Sequence, residues 1–102
     1  MQGGRAVKPI ELPSKTDERL VAMLRAVANP VRYRILQILA DRGECQCGPL
    51  GADLPIAQST LSQHLKVLRE AGLIKGTVSG PAVCYCRDEE AIDWLKRAIQ
   101  SL

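Results

Sequence analysis

"QSTLSQHLKVLREAGL", residues 58–73, is the stretch that decides how this chain folds. Leu61, Leu65 and Leu68 recur at helical spacing and form one apolar stripe. Ser59 is a favoured N-cap residue, and Gly72 stands where a helix would end. With the leucines turned inward, Ser59, Thr60, Gln63 and Lys66 fall on or near the outer face. These side chains suit a duplex. Gln63 can offer paired hydrogen bonds to adenine, while Ser59, Thr60 and Lys66 suit phosphates or base edges. The plainer alternative is an amphipathic helix whose polar side meets only water.

Toward the N-terminus, "NPVRYRILQILADRG" (residues 29–43) predicts another helix. Asn29 caps it, Pro30 suits its first position, and Val31, Ile35, Ile38 and Leu39 share a face. Before it, Ser14 or Thr16 caps a helix with Leu20, Leu24 and Val27 as its stripe. Residues 1–13 read as a loose arm, and residues 14–102 as one domain. "ECQC" (44–47) is short and alternating, which predicts a strand, and "PLGADL" (49–54) predicts a brief helix. Beyond Gly72, "LIKGTV" and "AVCYCR" form a hairpin with Ser79-Gly80-Pro81 at its tip. Asp88 caps a last helix with Ile92, Leu95 and Ile99 as its stripe. The expected order is helix, helix, short strand, helix, helix, hairpin, helix: mainly α with one small β-hairpin. Two consecutive helices joined tightly, the second polar outside, make a helix-turn-helix.

Composition narrows the function. A chain of 102 residues with three aromatics and no Phe must build its core from aliphatic side chains. A core this small favours dimerisation, which covers leftover apolar surface. The net charge of +3 permits nucleic-acid binding without arguing for it. No apolar run approaches the roughly 20 residues that span a bilayer. The opening residues also lack a signal-peptide core, so a cytoplasmic protein with no membrane partner is expected. In that compartment Cys45, Cys47, Cys84 and Cys86 are expected as thiols.

"ANPVRYRILQILADRGE", "AQSTLSQHLKVLREAGLI" and the following hairpin together resemble the ArsR/SmtB family of winged-helix repressors. The likeness runs from about residue 20 to residue 90, and "SQHLKVLREAGLI" is its most specific part. It implies a winged helix-turn-helix homodimer joined through its first and last helices and seated on an inverted-repeat operator in double-stranded DNA. By position, the recognition helix is Gln58 to Glu70, which adds Gln58, Ser62 and His64 to the DNA-facing set. The wing lies around Lys75 to Ala82, with Lys75, Thr77 and Ser79 against the backbone or in the minor groove. His64 stands where the family's helix carries His before Leu, in a structural or backbone-facing role. One imidazole without nearby partners makes a poor metal site.

The resemblance also implies release by a metal, metalloid or redox signal. Cys45 and Cys47, like Cys84 and Cys86, are spaced to send both sulfurs to one face of a strand. If the two strands are adjacent, two or three thiolates could close on one thiophilic ion such as trivalent arsenic or antimony, or on another soft metal. No ion is expected to be required for folding. Arsenic-responsive members resemble this chain in having a Cys-Val-Cys type pair after the second helix, but the pair here falls one residue earlier. That shift leaves Cys45 and Cys47 open to a packing role. Cys84 and Cys86 replace wing positions often held by Tyr and Arg, which makes them the better candidates for exposed, reactive thiols. A redox or persulfide response, or no ligand at all, stays open beside the metal reading. The family's interface metal site needs histidine, and "RDEEAIDWLKRAIQSL" has none. An enzyme is disfavoured, since no phosphate loop, activated nucleophile or Cys-x-x-Cys motif is present, and a thiol oxidoreductase is its least implausible form. A protein-interaction module would show no affinity for a palindromic duplex.

Overall fold

The computed structural model describes residues 14–42, 45–47, 54–79 and 82–102. The described elements are α1 (Lys15–Val27), α2 (Pro30–Arg42), β1 (Gln46–Cys47), α3 (Gln58–Glu70), β2 (Ile74–Ser79), β3 (Ala82–Arg87) and α4 (Glu89–Gln100). The fold is therefore mainly helical, with an antiparallel hairpin and a two-residue strand on its edge. Four helices, not five, stand among the described residues. The brief helix expected over 49–54 falls on residues 49–53, outside the described residues, and Leu54 itself lies in a bend. The N-terminal arm and the hairpin tip at Gly80-Pro81 also lie outside them.

Local chemistry sets the helix ends. Ser14 and Asp17 form a capping box: the Asp17 amide donates to Ser14 Oγ at 3.3 Å, and the Ser14 amide to Asp17 Oδ2 at 3.1 Å. Asn29 Oδ1 accepts from the amides of Val31 and Arg32 at 2.9 and 3.1 Å, turning the chain sharply from α1 into α2. Asp88 Oδ1 accepts from the Ala91 amide at 3.1 Å, as expected for the last helix.

α3 departs from expectation at its start. Its N-cap is Ala57, extended at φ −64° and ψ 148°, with no side-chain cap. Ser59 is already inside the helix and exposed, so its hydroxyl is not spent on a terminal amide. The other end follows the sequence. Gly72 adopts φ +82°, its amide donates to the Arg69 carbonyl at 2.9 Å, and the Leu73 amide donates to the Leu68 carbonyl at 3.0 Å. These paired bonds are the Schellman arrangement, which puts a glycine at the left-handed position.

The core is aliphatic. Leu61, Leu65 and Leu68 of α3 pack with Ile35, Leu36, Ile38 and Leu39 of α2, Met23 and Ala26 of α1, and Ala91, Ile92 and Leu95 of α4. The expected α1 stripe is displaced: Met23 and Ala26 are buried, while Leu20, Leu24 and Val27 pack half-buried at the margin. Ile99 is likewise 41% exposed rather than part of the α4 stripe. Both departures leave apolar surface on the first and last helices. The sheet order is β1-β3-β2, all antiparallel. The Asp88 amide donates to the Leu73 carbonyl at 2.9 Å, closing the hairpin at its base and leading directly into α4.

Candidate nucleic-acid interface and cysteine cluster

α3 presents Gln58, Ser59, Thr60, Ser62, Gln63 and Lys66 to solvent over buried Leu61, Leu65 and Leu68. The polar strip read from the periodicity is thus continuous, and its backing is rigid because three leucines cannot leave the core without opening a cavity. His64 is half-buried at one edge of the strip. Its Nδ1 lies 3.2 Å from Nη1 of Arg32, on the first turn of α2. Nothing in the periodicity marks Arg32. It stands 32 residues away in sequence, and only the packing of α2 against α3 brings the two together.

The hairpin carries the rest. Lys75 and Thr77 are exposed on β2, and Ser79 pairs with Ala82 at its outer end. Lys75 Nζ reaches to 3.9 Å from Asp88 Oδ2, which draws it toward the base of the wing and the α4 cap. Val78 is 80% exposed near the tip. Arg87 grips Glu89 through both its Nε and Nη2, at 2.9 and 3.0 Å, so Glu89 neutralises a neighbour as well as favouring the α4 N-terminus.

The cysteines differ from expectation in two respects. β1 lies beside β3 in the register that pairs Gln46 with Tyr85 and Cys47 with Cys84, as adjacency of the two Cys-x-Cys strands requires. Cys45 and Cys86, however, are joined by a disulfide, and Cys84 is also disulfide-bonded; none of the described cysteines is a free thiol. The expectation of thiols rested on compartment. Register instead brings Cys45 and Cys86 to a Cα separation of 4.3 Å, where facing sulfurs can bond. Exposure is also the reverse of the reading. Cys84 is 4% exposed and Cys86 half-buried, whereas Cys45 is exposed.

Cys84 sits apart from the helical core. It is buried but does not belong to the aliphatic core cluster, against which its neighbour Tyr85 packs. Side chains alternate along a strand, so Cys84 and Cys86 share the face away from the helices with their cross-strand partners Thr77 and Lys75. The sulfur face is therefore the face of the wing's own polar residues. Among the described residues no cluster of three or more His, Cys, Asp and Glu side chains is arranged to hold a metal ion. Among those residues, too, no helix is long and apolar enough to cross a membrane.

Comparison with known proteins agrees with this geometry. A family described as a helix-turn-helix domain matches residues 27–77. The HTH-type transcriptional regulator CmtR of Mycobacterium tuberculosis H37Rv is 42% identical over 69 residues, covering 68% of this chain and 58% of CmtR. The chain thus spans less than two thirds of that relative's length. The biofilm growth-associated repressor of Agrobacterium fabrum is 33% identical over 94 residues, 92% of this chain and 80% of the repressor. Among solved structures, an ArsR-like transcriptional regulator from Rhodococcus sp. RHA1 superposes with a TM-score of 0.74 over 86% of this chain and 82% of its own. At 21% identity, that likeness concerns the fold.

Proposed function

This chain belongs to the ArsR/SmtB family of winged-helix regulators, and from that premise we propose that it is a homodimeric, sequence-specific DNA-binding repressor. The observation carrying this reading is the exposed strip Gln58–Lys66 backed by three buried leucines. α3 enters the major groove, where Gln63 reads a base edge and Ser59, Thr60 and Lys66 engage phosphates or bases. Thr77 and Ser79 bring the wing to the adjacent backbone. Two copies meet through α1 and α4. Val21 and Ile99 are 38% and 41% exposed there, beside half-buried Leu20, Leu24 and Trp94, and a partner would cover them. Two-fold symmetry then calls for an inverted repeat.

The inducer acts on the sulfurs between β1 and β3. In the reduced state, thiolates drawn from Cys45, Cys47, Cys84 and Cys86 close on a thiophilic ion, trivalent arsenic or antimony first among them. Because β3 is one strand of the wing, an ion bound more tightly by the DNA-free shape lowers DNA affinity by the same coupling factor, about five- to 150-fold. The Cys45–Cys86 disulfide supports a second reading, in which oxidation itself is the signal. A disulfide or persulfide oxidant takes the two electrons, and the thiols lose two protons.

A gel-shift titration of the fully reduced protein separates the two. Arsenite, antimonite, cadmium, zinc and a persulfide donor are added to wild type and to the Cys45→Ser/Cys47→Ser and Cys84→Ser/Cys86→Ser variants. Release by arsenite that both variants lose supports the metalloid reading. Release by the persulfide donor alone, restored by reductant, supports the second. Wild-type response in both variants removes the cysteines from function. No affinity for any inverted repeat at low salt removes the repressor.

A further inference from the structure

Arg32 makes three contacts that no single helix could arrange. Its Nε donates to the Ala26 carbonyl at 2.7 Å, its Nη2 to the Arg25 carbonyl at 3.3 Å, and its Nη1 lies 3.2 Å from His64 Nδ1. One planar guanidinium thus ties the end of α1 to the middle of α3 from the first turn of α2. The chemistry of the third contact is one-sided. A guanidinium has five donors and no acceptor, so His64 Nδ1 must accept. An imidazole accepting at Nδ1 carries its proton on Nε2 and is neutral. Nε2–H is then the ring's remaining donor, on a half-buried side chain of α3 one turn after exposed Thr60.

We propose that Arg32 is a positioning residue for DNA recognition: it locks His64 as the neutral Nε2–H tautomer, so that α3 offers the phosphate backbone a directed, uncharged donor. This rests on the DNA-binding reading above. An uncharged donor has a property that lysine and arginine lack. Each cationic phosphate contact releases counterions and contributes about 0.9 to the slope of log affinity against log salt, whereas a neutral imidazole contributes nothing. His64 would therefore add affinity that salt does not erode. It would also fix the distance between the α1–α2 corner and the backbone, since both ends of the contact are held.

The test begins with wild type and needs no variant. The chain has one histidine, so long-range proton–nitrogen correlation spectra of tag-free, nitrogen-labelled protein at neutral pH report His64 alone. Protonated Nε2 with bare Nδ1 is expected. An Nδ1–H tautomer, or a doubly protonated ring, overturns the proposal. DNA titrations then follow for His64→Ala, Arg32→Lys and the double variant, each first shown by circular dichroism to be folded. Each single change is expected to weaken binding about tenfold, the loss of one hydrogen bond to a charged group. The double variant is expected to be no weaker than either single one, and His64→Ala to keep the wild-type salt slope. Independent losses that multiply to about a hundredfold, or a slope lower by about one, overturn it. If wild type holds the expected tautomer yet binds no inverted repeat, the DNA reading fails and the phosphate contact with it. If it binds DNA with the other tautomer, this proposal fails alone.

Discussion

α3 and the β1–β3 edge of the sheet are held by different forces. α3 is fixed from behind: Leu68 is fully buried, Leu61 and Leu65 nearly so, and the Schellman turn at Gly72 fixes its exit. Among the described residues, the sulfur face of the β1–β3 edge is not lined by the aliphatic cluster. Cys84 is buried outside the aliphatic core, and the edge is joined by sulfur and by a two-residue strand pairing. Burial of hydrocarbon is indifferent to oxidants and soft ions, whereas sulfur bonding responds to both.

The strongest way to break this contrast is Leu68→Ala, which opens a cavity beneath α3. It is expected to cost about 2–5 kcal/mol, toward the upper end for so enclosed a site, and is measured by urea unfolding. Next comes removal of the Cys45–Cys86 bond, whose partners are 41 residues apart, by Cys45→Ser/Cys86→Ser. The expected loss is about 2–4 kcal/mol. Hydrogen exchange sharpens the result. Amides of β3 should lose protection while those of Leu65 and Leu68 keep theirs, and equal losses in both would erase the distinction. Gly72→Ala forces a Cβ into the left-handed region and should cost about 1 kcal/mol, seen as a lower melting temperature at either redox state. Smallest is Glu89→Gln. Its carboxylate is exposed, so losing the Arg87 pair should change stability by less than about 1 kcal/mol, and added salt should shrink even that.

Much of α3 was legible in the residues themselves. The spacing of Leu61, Leu65 and Leu68 is a local property, and so are the glycine at its end and the caps at Asn29 and Asp88. Ser59 misled because it is a good capping residue two positions away from where the backbone becomes extended; Ala57 holds that position without any chemical signal. α1 and α4 misled differently. Their periodicity gave an apolar face, but which edge of it meets α2 and α3 depends on packing angles, and the core took Met23 and Ala26 in place of Leu24 and Val27.

The sequence by itself determined the order of the described elements and the polar strip of α3, because helix and strand periods and caps depend on neighbours a few residues away. It also raised the question of the two Cys-x-Cys pairs. Only the tertiary structure decided that Cys45 faces Cys86, that Cys84 is turned from the helices, and that Arg32 meets His64. The two contacts join residues 41 and 32 apart, and their meeting is fixed by register and helix packing, which no local pattern encodes.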